Sequence, residues 1–197
     1  MTRRCFVGVL PATVMTIVIL GPPGLVRLGA DDAERRFLQS VEEYMTLRQQ
    51  IDRHVPAIQL SDDMDSIQRA ADMRLAAIQH LRARAQAGDI FNAAVVDLFR
   101  SRIQHGFATR RHGAAELIDE ITAGGERWRP AEVNGRFSWR TAAATPPYVI
   151  SVLPDLPAAL QYRFVGPDLV LVDITASCIL DVLRGVLEIP PQRDGAQ

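Results

Sequence analysis

The sequence contains no lysine, since all 22 basic residues are arginine, and 23 acidic residues bring the formal net charge to -1. Because the chain is nearly neutral, it lacks the general positive electrostatic potential with which many proteins bind nucleic acid. We therefore expect no nucleic-acid partner. Its two cysteines exclude a disulfide framework. No phosphate-binding loop, dinucleotide-binding glycine motif, serine-hydrolase elbow or zinc-protease motif occurs. The sequence therefore predicts no cofactor and gives no positive sign of an enzyme.

The first thirty residues have the pattern of an export signal. Arg3 and Arg4 precede an uncharged, mostly apolar stretch over 5–26, and Ala30 stands before an acidic start at Asp31. We expect cleavage after Ala30, which leaves no stable membrane span and places the protein in the periplasm or outside the cell. An uncleaved N-terminal membrane anchor is the alternative, because about 20 apolar residues can span a bilayer.

Residues 31–125 are predicted to form a helical region. Apolar residues recur at spacings of three and four over 31–54 and over 64–85, which predicts two amphipathic helices. Because only a short connector around Pro56 separates them, the two helices should pack as an antiparallel hairpin.

Two shorter helices should follow the hairpin. Asp89 is a predicted N-cap for a third helix that runs through Ile103. A fourth helix is predicted over 113–123, where two glycines stop it.

Residues 126–191 lose the helical period and are predicted to form a small α/β region that shares the core of the helices. A turn signal at 133–136 should lead into a short strand over 137–139. Two further strands, 162–165 and 169–174, flank a Gly-Pro-Asp turn and predict a β-hairpin.

The segment after Thr175 is predicted to be a C-terminal helix, because four apolar residues share one helical face: Ile179, Val182, Leu183 and Val186. Residues 146–150 fit either a helical turn or a strand, and 192–197 are expected to be a frayed tail. The predicted fold class is α+β and mostly helical. It has an N-terminal antiparallel helical hairpin plus shorter helices, then a small β-hairpin and a C-terminal helix.

Three motifs in the C-terminal region are distinctive: VNGRFSW at 133–139, LPDLP at 153–157 and YRFVGPDLVL at 162–171. Together they resemble an uncharacterised family of exported bacterial proteins that has no assigned activity. The resemblance implies export and a helical part before this block, and it transfers no catalytic residue. Pro167 stands where the family would place an arginine, so a basic residue has no role in that turn here.

Positive charge accumulates between Asp97 and Glu116, where no acidic residue occurs, and an Arg-Trp-Arg motif follows further on. Guanidinium groups near aromatic rings suit phosphate, carboxylate or sugar-acid ligands. The alternative is that these arginines only lie on a solvated helix face. The candidate ligand-binding residues are Arg100, Arg102, Arg110, Arg111, His112, Arg127, Trp128 and Arg129.

Residues that often carry catalysis have structural explanations here. The four histidines lack the spacing of metal ligands, so we predict no metal site. Cys178 could be a nucleophile, but its apolar neighbours favour a buried small side chain.

We therefore expect an exported cell-envelope protein that is a non-catalytic binding or interaction module. Its partner would be an anionic envelope component or another protein. Two alternatives stay open: a hydrolase whose site assembles from scattered residues, and a structural or chaperone-like helical arm.

Overall fold

The computed structural model describes residues 23–55, 64–110, 113–123 and 128–188. The predicted α+β class is confirmed, with helices first and a four-stranded antiparallel sheet towards the C-terminus. The helices are α1 (Pro23–Asp52), α2 (Met64–Leu81), α3 (Ala93–Ala108), α4 (Gly113–Ala123) and α5 (Pro147–Ile150). The strands are β1 (Ala142–Ala144), β2 (Leu160–Val165), β3 (Asp168–Asp173) and β4 (Cys178–Leu183), paired in that order.

The helices α1 and α2 form the predicted antiparallel hairpin. Nε of Arg74 in α2 lies 3.1 Å from Oδ1 of Asp52 at the end of α1. Further along, the guanidinium of Arg82 lies 5.6 Å from the ring centre of Tyr44. Contacts move towards the start of α1 as α2 advances, which is the antiparallel arrangement. The helix α1 begins at Pro23, earlier than the predicted start at 31.

The third helix begins later than predicted, and its N-cap is Asn92 instead of Asp89. The Asn92 side chain accepts a hydrogen bond from the Val95 N–H at 3.3 Å. Asp89 instead accepts a hydrogen bond from the Gln86 N–H at 2.9 Å, inside the turn that Gly88 makes with φ at +97°. Both Asp89 and Asn92 have side chains that can cap a helix. Asp89 stabilises the preceding turn, so the helix begins after Asn92.

The predicted β-hairpin is present as β2 and β3, joined by Gly166 and Pro167. Leu160, Tyr162 and Phe164 are all buried and alternate along β2, so they face the helices. The intervening residues of β2 face the opposite, outer side of the sheet.

The predicted C-terminal helix is wrong, because residues 178–183 form β4. In the register with β3, Cys178 lies opposite Asp173 and Ile179 lies opposite Val172. All six residues of β4 are buried. The strand β4 is at the edge of the sheet. Both of its faces are nevertheless buried, because the helices cover one face and segment 128–142 covers the other, whereas an amphipathic helix buries only one stripe. Pairing with β3 therefore overrides the helical spacing of the apolar residues.

The turn predicted at 133–136 is present, but the strand predicted after it is not. Asn134 has φ at 61°, which fits the turn. Beyond it, Arg136 forms a single isolated bridge with Cys178 and no continuous ladder. Residues 147–150, where the sequence left a helix and a strand open, form the helical turn α5.

Two apolar clusters lie on the two faces of the sheet. Between the sheet and the helices, the ring centres of Phe37 and Phe99 are 4.9 Å apart, and those of Phe99 and Tyr162 are 6.0 Å apart. The smaller cluster covers the outer face with residues from β2, β3, β4 and segment 128–142: Ala131, Phe137, Val165, Val170, Val172, Ile179 and Val182. Segment 128–142 thus lies across the outer face of the sheet.

A buried carboxylate ties β4 to the link between α2 and α3. Asp181 is fully buried and accepts four backbone N–H groups. Its Oδ2 accepts from Ile90 and Phe91, both at 2.7 Å. Its Oδ1 accepts from Gly88 at 2.9 Å and from Val182 at 2.7 Å. The charge is therefore stabilised by peptide dipoles, with no cation in the hydrogen-bonded set.

Most of the predicted export signal, 1–22, and the predicted tail, 192–197, lie outside the described residues. Of the helices that the structure does describe, none combines the length and apolar character needed to cross a membrane. Cleavage after Ala30 stays a prediction.

Candidate functional site

The structure does not bring the predicted arginines of α3 together. Arg100 and Arg102 are separated by about 200° around the helix axis. Arg102 forms an ion pair with Glu34 of α1. Arg100 instead donates to the carbonyl oxygen of Arg184 at 2.8 Å. Each side chain is held by a different part of the fold, so the two do not form a joint site.

Arg110 lies against an aromatic ring at the end of α3. Its guanidinium is 5.4 Å from the ring centre of Tyr148, whose hydroxyl donates to the Gly113 carbonyl at 2.8 Å. Partial burial raises the pKa of Tyr148, which keeps the donated proton on its hydroxyl. Three more candidates lie outside the described residues: Arg111, His112 and Arg127.

The remaining predicted pair, Trp128 and Arg129, begins the segment that covers the outer face of the sheet. Trp128 is half-buried and packs against both apolar clusters. Its Nε1–H is buried and has no hydrogen-bond partner within the described ranges. Arg129 is exposed beside it and lines a cavity.

We call this cavity the outer cavity; its volume is about 470 Å³. It lies between segment 128–142 and the ends of β2 and β4, where Val165 and Ile179 form its apolar floor. The polar side chains that line it come from the covering segment: Arg129, Glu132, Arg136, Ser138 and Thr141.

The outer cavity has more positive than negative side chains in its lining. Nη2 of Arg136 lies 2.8 Å from Oδ1 of Asp72 in α2, and both side chains are about half exposed. The hydrogen bond from Arg136 holds the pKa of Asp72 below its usual range, so this pair stays ionised. Arg129 has no ion-pair partner in the part of the chain that the structure describes. Two guanidinium groups and one lining carboxylate, Glu132, favour an anionic group over a cation.

A second cavity, which we call the edge cavity, has a volume of about 370 Å³. It lies where β1 ends. The strand β1 pairs only with residues 163–165 of β2, so residues 160–162 are not paired with β1. Nε and Nη2 of Arg163 donate to Oε1 of Gln161 at 3.1 and 2.7 Å. The same guanidinium lies 5.1 Å from the ring centre of Trp139. Gln161 and Trp139 therefore hold the Arg163 side chain at the wall of this cavity.

Cys178 has the wrong environment for a nucleophile. It is fully buried at the start of β4, and its thiol contacts the carbonyl of Ile179 at 3.7 Å. The pKa of this thiol is raised to about 12, mainly by burial; the charge of Arg82 lowers it and the charge of Asp173 raises it by smaller amounts. A catalytic thiolate needs a lowered pKa and access to substrate. Within the described ranges, no group of three or more His, Cys, Asp and Glu residues could hold a metal ion.

Sequence reasoning missed most residues of both cavities. Arg136 is the last residue of the predicted turn, and an arginine at this position was the only sequence feature that pointed to the outer cavity besides Arg129. Two motifs noted in the sequence, at 153–157 and 162–171, contribute to the edge cavity, but nothing in them indicated a site. The cavity combines residues from separate segments: Thr145, Ile150, Asp155, Leu156, Gln161 and Arg163.

Comparison with known proteins adds no family to these observations. No protein-family model, curated protein or solved structure matches the chain. The resemblance to a family of exported bacterial proteins stays a prediction.

Proposed function

We propose that this protein is a non-catalytic binding module whose ligand carries an anionic group, and that the outer cavity is its binding site. The observation behind the proposal is the guanidinium of Arg129, which forms no ion pair with the described residues and lines the same cavity as Arg136. A guanidinium donates two parallel hydrogen bonds to a carboxylate or phosphate, which makes arginine well suited to such ligands. The predicted export signal would place this module in the cell envelope.

The hydroxyl groups of the cavity extend the same chemistry. Ser138 and Thr141 can donate to further oxygen atoms of a phosphate or a sugar acid. The apolar floor formed by Val165 and Ile179 suits the carbon skeleton of such a ligand.

The two alternative functions have less support. The hydrolase assembled from scattered residues loses one candidate nucleophile, because a cysteine hydrolase needs an accessible thiolate and Cys178 is fully buried. A helical arm needs a helix that projects from the body of the protein. The helix α1 instead packs into the core from Ala33 to Ile51.

The test is calorimetric binding of inorganic phosphate and of glucuronate at low and high salt. We expect binding by the wild-type protein that weakens as salt rises, because exposed charges are screened beyond roughly 10 Å at moderate salt. Arg129→Gln should weaken binding about tenfold, the low end for loss of a hydrogen bond to a charged group. Its melting temperature should hardly change, because an exposed side chain without an ion-pair partner contributes little to stability.

Arg53→Gln is the matched control, because it removes the same charge from an exposed residue at the end of α1. This control should bind both anions as the wild type does. The proposal fails if the wild type binds neither anion, or if Arg129→Gln and Arg53→Gln bind equally well.

A further inference from the structure

The edge cavity contains a buried polar group that has no hydrogen-bond partner among the described residues. Thr145 follows β1 and is 6% exposed. Its Oγ1 is buried and finds no hydrogen-bond partner among the residues that the structure describes. Buried hydroxyl groups are nearly always paired, and an unpaired one is costly to maintain. Rotation about the Cα–Cβ bond by about 120° moves the hydroxyl to the position that the methyl group or the hydrogen holds. Because Thr145 lines the cavity, this is the hydroxyl that we assign to a ligand there.

The cavity also presents one positive and one negative side chain. Arg163 uses Nε and Nη2 to hold Gln161, which leaves Nη1 for a ligand. Asp155 is exposed and, among the described side chains, has no ion-pair partner. The lining therefore has one guanidinium and one carboxylate, and neither forms an ion pair with a described residue. A simple anion would meet repulsion from Asp155, and a simple cation would meet repulsion from Arg163.

The remaining wall is apolar. Leu156 and Leu160 line it, and Ile150 lies there with 47% of its surface exposed. A volume of about 370 Å³ is at the small end of the range for ligand pockets. The cavity thus suits a small ligand with an apolar side.

We propose that the edge cavity binds a free apolar α-amino acid. The ligand carboxylate accepts from Arg163 and from the Thr145 hydroxyl, its ammonium faces Asp155, and its side chain lies against Ile150 and Leu156. A zwitterion of this kind is complementary to both charges. Its carboxylate also accepts a hydrogen bond from the Thr145 hydroxyl, which has no such partner among the described residues. This site is separate from the outer cavity, so its failure would not affect the proposed function.

The first experiment compares three probes that share a branched carbon skeleton. L-Leucine has both charges, 4-methylpentanoate lacks the ammonium group, and 3-methylbutylamine lacks the carboxylate. Calorimetry or ligand-observed NMR should show leucine binding at least about tenfold more tightly than either analogue, because each analogue leaves one charged residue unpaired. The proposal is overturned if leucine does not bind at millimolar concentration, or if the three probes bind equally.

The second experiment uses Thr145→Val, which keeps the shape of the side chain and removes the hydroxyl. We expect leucine affinity to fall about fivefold. The melting temperature should stay level or rise, because the substitution removes an unpaired buried polar group. Thr141→Val is the matched control, since Thr141 lines the outer cavity, and it should bind leucine normally. Equal leucine binding by Thr145→Val and wild type would refute the assigned role of the hydroxyl and with it the proposal.

Asp155→Asn tests the ammonium contact on its own. This exposed residue should be replaceable without loss of stability. Leucine binding should weaken about tenfold, while binding of 4-methylpentanoate should stay equal or improve. A parallel loss for both probes would contradict the placement of the ammonium group beside Asp155 and overturn the zwitterion proposal.

Discussion

Replacing Asp181 by asparagine should destabilise the protein strongly, although the two side chains have nearly the same shape. In the native protein both carboxylate oxygens accept two backbone N–H groups each, and the side chain is fully buried. Asparagine has one oxygen and one NH₂ group. Whichever position the NH₂ group takes, two backbone donors lose their acceptor and face another donor.

The magnitude follows from the number of hydrogen bonds lost. A hydrogen bond to a charged group contributes about 1.5–3 kcal/mol, so two of them amount to about 3–6 kcal/mol. The neutral side chain avoids the cost of burying a charge, which offsets part of this loss. We therefore expect a fall of about 3 kcal/mol in the free energy of unfolding. For a chain of this size that is a drop of about 6–12 °C in melting temperature.

Urea unfolding followed by circular dichroism measures this change directly. The midpoint should fall with little change in slope, because the same surface is exposed on unfolding. Asp97→Asn is the control, since Asp97 is exposed on α3, and its effect should stay within about 0.5 kcal/mol. A loss below about 1 kcal/mol for Asp181→Asn would refute the reasoning, because it would mean that the four N–H contacts contribute little more than one neutral hydrogen bond.

Two further predictions concern the sheet. A water-soluble thiol reagent should label buried Cys178 slowly at neutral pH until denaturant is added, because burial raises the pKa of the thiol to about 12; fast labelling of the native protein would contradict this. Gly166→Ala should lower the melting temperature more than Gly185→Ala does. Both glycines have positive φ, but an added Cβ at Gly166 would lie 2.4 Å from the Trp128 ring, whereas nothing lies within 4 Å at Gly185. Equal melting temperatures for the two variants would show that Trp128 moves away at no cost.

Elements whose signals are local were predicted well from the sequence. The helix α4 has the predicted bounds, 113–123, because its apolar spacing and its start are contained in the segment itself. The hairpin of β2 and β3 was also predicted, because two β-rich segments flank a turn that contains Gly166. Local backbone preference and tertiary packing agree at these positions.

The ion pair of Arg102 and the outer cavity both depend on contacts between residues that are far apart in the sequence. Arg102 looked free because no acidic residue is near it in sequence, yet Glu34 of α1 pairs with it. The outer cavity combines Arg129 and Arg136 only because segment 128–142 crosses the outer face of the sheet. Such partners are distant along the chain, so no local pattern identifies them.

The sequence by itself determined the α+β class, the antiparallel hairpin of α1 and α2, and the burial of Cys178 among apolar neighbours. Only the tertiary structure decided that residues 178–183 are a strand. Their apolar spacing is compatible with either a helix or a strand. The strand forms because residues 178–183 pair with β3 along one edge and bury both of their faces. Asp181 is the residue where the difference matters most. On a helix its carboxylate would face solvent, whereas in β4 it meets four N–H groups from the chain around it.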